Sequence, residues 1–164
     1  MKKAVYAGTF DPITRGHLDV IERSSRIFDL LYIGVAARVK KNTLLNVDSR
    51  YKLVVEAVSH LKNVKVAIFN SLLVDFVKEC QASVIVRGLR VLSDFEYEFE
   101  MASANRKLNP EVETMFLPTS LEYSFLSSSL VKEVASLGGD ISLWVPPCID
   151  RKLKEIYKNT GKSG

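Results

Sequence analysis

The chain has 164 residues, of which 47% are hydrophobic and 26% are charged, a balance typical of a soluble globular protein. Its longest apolar runs fall well short of the roughly 20 residues that a transmembrane helix needs, which argues against a membrane protein. The formal net charge is +4, but basic residues are mostly interleaved with acidic ones. Because no known nucleic-acid reader motif accompanies that charge, we expect no nucleic-acid partner.

The few cysteines and histidines argue against several kinds of site. Cys80 and Cys148 lie far apart and form no C-x-x-C pair, which speaks against a disulfide framework or a zinc site. The N-terminus runs into a glycine and an acid too soon for a signal peptide. We therefore expect a cytoplasmic protein, and we assign no protein metal ligand.

Strands and helices are predicted to alternate along the chain. Apolar runs predict strands at residues 3–8, 30–36, 64–69, 83–86 and 114–117. Helical patterns follow them. The first helix has a buried face of Leu18, Ile21, Ser25 and Phe28, and the second begins after an N-cap at Asp48 and buries Leu53, Val54, Ala57, Val58 and Leu61. Further helices are predicted at 72–80, from Ser93 or Asp94 to Arg106, from Ser127 to Gly138-Gly139, and at 149–157. This order favours an α/β fold, a Rossmann-like doubly wound five-stranded parallel sheet with helices on both faces. We expect one domain over residues 1–160 and a disordered tail at 161–164.

The loop after the first strand carries the strongest functional signal. In a parallel α/β sheet, ligands bind outside the carboxyl ends of the strands, and a helix N-terminus there attracts phosphate. No G-x-G-x-x-G follows the first strand, and Gly161-Lys162-Ser163 lies in the tail, so neither usual glycine motif applies. Thr14-x-Gly16-His17 stands at the start of the first helix instead. Taken alone, this tetrad fits a capped helix with a surface histidine better than it fits a nucleotide site.

Three segments together resemble one family. Residues 6–17, Tyr-Ala-Gly-Thr-Phe-Asp-Pro-Ile-Thr-Arg-Gly-His, resemble the opening signature of bacterial phosphopantetheine adenylyltransferases, which belong to the T/H-x-G-H nucleotidyltransferase superfamily. Arg87-Gly88-Leu89-Arg90 with Asp94-Phe95-Glu96-Tyr97-Glu98 resembles their second signature, and residues 124–133 resemble their third. The resemblance runs in order from about residue 3 to about residue 147. It departs from the family at Ala7, Arg15, Asn42-Thr43 and Asn70-Ser71.

The resemblance implies a specific reaction of coenzyme A biosynthesis. The phosphate of 4′-phosphopantetheine would attack the α-phosphorus of ATP directly and in line, giving dephospho-coenzyme A and pyrophosphate. A phosphate nucleophile is already ionised at neutral pH, so this transfer needs positioning and cationic or N–H donors rather than a general base. Mg²⁺ would accompany ATP, held mainly by the nucleotide and water.

The resemblance also implies roles for individual residues. His17, Lys41 and Arg90 would be catalytic, with His17 donating to the α-phosphate in the transition state. The substrate 4′-phosphopantetheine would be bound by Thr9, Lys41, Leu73 and Arg87. ATP would be bound by Thr9, Phe10, His17, Gly88, Leu89, Arg90, Glu98, Tyr123, Ser124, Phe125, Leu126, Ser127, Ser128 and Ser129.

Two other functions remain open at this point. One is another adenylyltransferase, such as one acting on nicotinamide mononucleotide; its late I-S-S-T-x-x-R motif would correspond here to residues 126–132, with Lys132 in place of arginine. The other is a non-catalytic regulatory module that binds a nucleotide. The family further implies a homo-hexamer and feedback binding of coenzyme A.

Overall fold

The computed structural model describes residues 1–39 and 42–160. The described strands are β1 (Lys3–Gly8), β2 (Leu30–Ala36), β3 (Val64–Phe69), β4 (Val84–Leu89) and β5 (Glu113–Pro118). The described helices are α1 (Arg15–Ile27), α2 (Val47–Ala57), α3 (Leu73–Glu79), α4 (Leu92–Leu108), α5 (Ser128–Ser136) and α6 (Pro147–Thr160), with a 3₁₀ turn at Leu121–Tyr123. Lys41 and the tail at 161–164, for which predictions were made, lie outside the described residues.

The strands form one parallel sheet in the order β3-β2-β1-β4-β5. The chain runs outward from β1 through β2 to β3, then returns to the other side of β1 with β4. The order therefore reverses between β1 and β4, where a doubly wound sheet opens its ligand crevice. This confirms the predicted α/β fold class.

Side chains on alternate strand positions bury both faces of the sheet. In β1, Ala4 and Tyr6 belong to a core formed with α1, α2, α5 and α6, whereas Val5 and Ala7 pack towards α3. Period-two alternation sends neighbouring residues to opposite faces, so a strand covered on both sides is apolar throughout. That is why the apolar runs at 3–8 and 30–36 predicted strands with the observed bounds. The bounds of β3 also agree, although this edge strand contains Lys65 and exposes Ile68.

Several predicted boundaries are wrong in informative ways. β4 continues past Val86 to Leu89, so Arg87 and Gly88 lie in the strand rather than in a loop. The N-cap of α2 is Asn46, whose side chain accepts from the Ser49 N–H at 2.8 Å, and Asp48 lies in the first turn. Likewise α4 begins at Leu92, so Asp94 lies inside its first turn rather than at the cap.

Within the described part of the chain, none of the helices combines the length and the apolar character that crossing a bilayer requires.

Candidate active site

Two adjoining cavities open at the carboxyl ends of β1 and β4. The first, of about 320 Å³, lies over the start of α1, and the second, of about 660 Å³, lies between β1, α4 and the β2–α2 connection. Both cavities touch Thr9 at the end of β1, Arg87 and Glu98. The site therefore has two compartments with a common polar wall.

His17 lines the first cavity and is held in one tautomer by the start of α1. Thr14 is the N-cap of α1, and its own backbone N–H donates to Nδ1 of His17 at 3.0 Å. A ring nitrogen that accepts a hydrogen bond is unprotonated, so the neutral ring carries its proton on Nε2. Burial, and then the charges of Arg90 and Arg87, lower the pKa of His17 to about 4. At neutral pH the site thus offers an uncharged imidazole with one N–H donor.

The backbone of Phe10 sets the shape of the loop in front of His17. Phe10 has φ of 51°, a left-handed conformation that is uncommon for a bulky residue. Its ring folds back over Gly8, where an added Cβ would lie 3.1 Å from the ring. The same ring makes an edge contact with His17, with centroids 5.2 Å apart. Gly8 and Phe10 together therefore help to fix the orientation of the imidazole.

Two arginines enter the site with the same pattern of partners. Arg87 donates through Nε and Nη2 to Glu98, at 2.6 and 2.5 Å, and through Nη1 to the Ala7 carbonyl. Arg90 donates through Nε and Nη2 to Asp94, at 2.9 and 3.0 Å, and through Nη1 to a carbonyl of residue 126. A guanidinium has five N–H donors, so each arginine is rigidly held and keeps two of them for a ligand.

The serines at the start of α5 differ in their availability. The Ser127 hydroxyl is the N-cap and accepts from the Leu130 N–H at 3.0 Å, while the Ser128 hydroxyl donates to the Pro12 carbonyl at 2.8 Å. Among the described contacts, the Ser129 hydroxyl has no protein partner, and Ser129 lines both cavities. Ser129 is therefore the serine best placed to bind a ligand through its hydroxyl.

Most predicted residues of the ATP site come together. The first cavity is lined by Thr9, Phe10, His17, Gly88, Arg90, Glu98, Leu126, Ser127, Ser128 and Ser129. Leu89, Tyr123, Ser124 and Phe125 are not among the described residues that line it, and their roles stay predictions. Gly88 packs tightly against α1, because an added Cβ would lie 3.0 Å from the side chain of Val20, which would have to move by a few tenths of an ångström.

The predicted 4′-phosphopantetheine residues concentrate at the second cavity. Thr9, Leu73 and Arg87 line it, with Leu73 at the start of α3 providing an apolar wall. Lys41 lies outside the described residues, although Val39 and Asn42 on either side of it line this cavity. The cavity also contains apolar surface from Met101 and Ala102 of α4, which suits an elongated, partly apolar ligand.

The structure adds residues that the sequence reasoning missed. Asp94 positions Arg90, Tyr6 lines the first cavity, and Lys132 lines the second. Burial raises the pKa of Tyr6 to about 12, so its hydroxyl stays protonated. Asp94 could have been found from its spacing, since Arg90 and Asp94 stand four residues apart. Lys132 was noted only as the residue in place of a motif arginine, and its contact with Asp11, 121 residues away, could not be predicted.

Comparison with known protein families gives one match that covers most of the chain. The family model described as "Cytidylyltransferase-like" matches residues 5–134. Two similar solved structures carry the same fold. One, from Vibrio parahaemolyticus and provisionally named a nicotinate-nucleotide adenylyltransferase, has a TM-score of 0.73 and 23% identity, covering 93% of this chain and 99% of that one. The other is a lipopolysaccharide core biosynthesis protein from Thermoplasma volcanium, with a TM-score of 0.54 and 25% identity over 73% of this chain and 97% of that one.

Curated relatives are much more similar in sequence. A phosphopantetheine adenylyltransferase from Heliobacterium modesticaldum is 50% identical over 160 residues, which cover 98% of this chain and 95% of the relative. A phosphopantetheine adenylyltransferase from Clostridium botulinum is 55% identical over 146 residues, which cover 89% of this chain and 92% of the relative. Identity at this level and coverage, over a chain that also carries the three signatures, shows that the protein belongs to the phosphopantetheine adenylyltransferase family of cytidylyltransferase-like proteins.

Proposed function

We propose that this chain transfers the adenylyl group of ATP to 4′-phosphopantetheine, forming dephospho-coenzyme A and pyrophosphate. A phosphate oxygen of 4′-phosphopantetheine forms a bond to the α-phosphorus of ATP, and the bond from that phosphorus to the pyrophosphate leaving group breaks. The observation that carries this proposal is the pair of adjoining cavities that share Thr9 and Arg87, with His17 in the first. The names of the two close relatives support the choice of acceptor.

In this proposal the residues act by positioning and by charge. His17 donates its Nε2–H to the α-phosphate, whose negative charge grows as the new bond forms. A neutral donor suits this role because the low pKa of His17, about 4, leaves it no tendency to take a proton at neutral pH. Arg90 and Ser129 bind the phosphates of ATP, while Thr9 and Arg87 stand where the two substrates meet. Lys41 holds the attacking phosphate.

We infer that Mg²⁺ enters with ATP and is coordinated by the triphosphate and water, where it neutralises charge. The carboxylates that line the first cavity are Asp94 and Glu98, and each is occupied by an arginine. The part of the chain that the structure describes contains no group of three or more His, Cys, Asp or Glu side chains suited to a metal ion. The pairing of both carboxylates with arginines supports a metal carried by the nucleotide.

A pyrophosphate-release assay tests the proposed function. With ATP and Mg²⁺, we expect turnover with 4′-phosphopantetheine and none with nicotinamide mononucleotide. Activity with nicotinamide mononucleotide alone would replace the proposed acceptor. Saturable ATP binding without pyrophosphate release, whichever acceptor is added, would indicate a regulatory module.

The protonation state of His17 gives a prediction that NMR can check. In a chain with the substitution His60→Gln, His17 is the one remaining imidazole, since the sequence contains two histidines. We expect its nitrogen shifts to report the neutral Nε2–H tautomer from pH 8 down to about pH 5. A ring that titrates near its ordinary pKa of about 6.5 would contradict the assignment of a neutral donor.

The lowered pKa of His17 also predicts how the free energy of unfolding changes with pH. Because the pKa of His17 is lower in the folded chain than in the unfolded chain, the unfolded chain takes up this proton first as pH falls. His17 therefore contributes its full stabilisation above about pH 6.5, and that contribution is lost as pH falls towards 4. In His17→Gln, the decline of the free energy of unfolding between those pH values should be shallower than in the unmodified chain.

We further propose that residues 1–160 form one domain and that the protein assembles as a homo-hexamer in the cytoplasm. We also propose that coenzyme A binds this protein as a feedback inhibitor. Exposed apolar side chains on and beside α4, at Val91, Phe99 and Leu108, support a subunit contact there. Cys80 and Cys148, both unpaired and buried, suit a reducing compartment. Coenzyme A contains the same phosphopantetheine arm as the acceptor, which supports competition for the second cavity.

Light scattering after size-exclusion chromatography tests the assembly. We expect a particle of six chains of 18.4 kDa each, and we expect Phe99→Glu to reduce it to smaller species. Leu143→Glu is the control, since Leu143 is also exposed but lies outside α4. A monomer in the unmodified chain would contradict the proposed assembly.

A further inference from the structure

Arg50, in the first turns of α2, is a fully buried cation held by backbone carbonyls. It is 2% exposed. Its Nη1 donates to the carbonyls of Thr9 at 2.7 Å and Ala36 at 2.9 Å, and its Nε donates to the Leu45 carbonyl at 3.2 Å. Those three carbonyls belong to the end of β1, the end of β2 and the end of the β2–α2 connection. One guanidinium thus joins three segments that surround the second cavity.

Asp11 accepts further hydrogen bonds from the β2–α2 connection. It is 4% exposed, and its carboxylate accepts from the N–H groups of Leu44 and Leu45, each at 2.9 Å. Lys132 of α5 donates to the same carboxylate at 2.8 Å. The two N–H groups occupy different oxygens of Asp11, so a side chain with a single carbonyl oxygen cannot replace it fully.

The hydrogen bonds of Arg50 and Asp11 hold a segment that forms one wall of the second cavity. Arg38, Val39, Asn42 and Thr43 of the β2–α2 connection line that cavity, as does Asp11 itself. Leu44 and Leu45, which Asp11 and Arg50 hold, follow Thr43 directly. A change in the hydrogen bonds to this segment therefore moves the described end of the connection relative to β1, and no described residue of the connection lines the first cavity.

We propose that Arg50 and Asp11 are positioning residues for the acceptor: they set the described end of the β2–α2 connection against β1 and so determine the affinity of the second cavity for 4′-phosphopantetheine. This inference rests on the proposed function, in which that cavity takes the acceptor. Neither residue is assigned to bind ATP. Their effect should therefore appear in the KM for one substrate and not in the KM for the other.

Arg50→Lys and Asp11→Asn test the inference with steady-state kinetics on the full chain. A lysine is one bond shorter than arginine and carries all its N–H donors on one atom, so it cannot hold the carbonyls of Thr9, Ala36 and Leu45 together, which weakens the link to the connection. Asp11→Asn removes one of the two acceptors. We expect each variant to raise the KM for 4′-phosphopantetheine about five- to tenfold, the range for one lost backbone hydrogen bond, with the KM for ATP changed less than twofold.

Controls separate positioning from general destabilisation. Arg151→Lys is the matched control, since Arg151 is exposed on α6 and pairs with Glu56, and it should leave both KM values unchanged. A purely structural role for Arg50 would reduce the amount of active protein, and therefore the apparent kcat, with both KM values preserved. If Arg50→Lys does not fold, Asp11→Asn alone decides.

The outcomes distinguish this inference from the proposed function. Normal turnover of the unmodified chain with an unchanged ratio of the two KM values in the variants would overturn the positioning role alone. If the unmodified chain neither turns over nor binds 4′-phosphopantetheine in calorimetry, the proposed function itself is wrong.

Discussion

His17→Ala is expected to lower kcat by about 10² to 10³ while the chain keeps its fold. Loss of one preorganised donor to a developing oxyanion has effects of this size. The fold should persist, because Thr14 still caps α1 and the variant loses only the bond from the Thr14 N–H to Nδ1 and the edge contact with Phe10, a loss of about 1–3 kcal/mol. Initial rates of pyrophosphate release under saturating substrates measure the effect.

His60→Ala is the matched control for that variant. His60 is exposed and pairs with Glu22, away from both cavities. We expect its kcat to equal that of the unmodified chain. Near-normal turnover in His17→Ala would remove His17 from the mechanism, whereas a similar loss in both variants would point to damage to the protein preparation.

Arg50→Met is expected to lower the free energy of unfolding by about 3–5 kcal/mol, well above the effect of a typical substitution. Methionine matches much of the volume of arginine but leaves the carbonyls of Thr9, Ala36 and Leu45 without their donor. An unsatisfied buried polar group costs about 1–3 kcal/mol, and partial hydration of the three reduces their sum. For a chain of this size, the midpoint of thermal unfolding should fall by roughly 10 °C.

Urea unfolding followed by circular dichroism measures the change, with Arg151→Met as the exposed counterpart. That control should change the free energy of unfolding by less than about 0.5 kcal/mol, because its ion pair lies at the surface. A loss below 1 kcal/mol in Arg50→Met would mean that water or a rearranged side chain replaces the guanidinium at all three carbonyls.

The sequence predicts the sheet better than it predicts the ends of individual elements. Strands β1, β2 and β3 are apolar to their last residues, so their patterns mark their bounds. In β4 the polar Arg87 and the small Gly88 end the apolar run early, yet both stay in the strand for tertiary reasons. Arg87 pairs with Glu98 of α4, and Gly88 allows close contact with α1. Neither contact is visible in local periodicity.

The site shows the same division between local and distant contacts. Signature residues such as His17, Arg90 and Ser129 were predicted from the resemblance to the family, and in the structure all three line the first cavity. Arg50 was missed although it lies one turn before Leu53 and Val54 on the predicted core face of α2. An arginine there is normally taken as solvent-exposed, and its partner Thr9 is 41 residues away.

The two cavities share one wall but differ in the rest of their lining, which matters for engineering the acceptor specificity of the protein. The first cavity, which we propose takes ATP, is built mainly from the ends of β1 and β4 and the starts of α1 and α5. Met101 and Ala102 of α4 line only the second cavity, which we propose takes the acceptor. Substitutions at those two positions can therefore resize the acceptor compartment without altering the donors around the α-phosphate. A small combinatorial library there would be a rational starting point for redirecting the adenylyl group to shortened or bulkier phosphorylated acceptors.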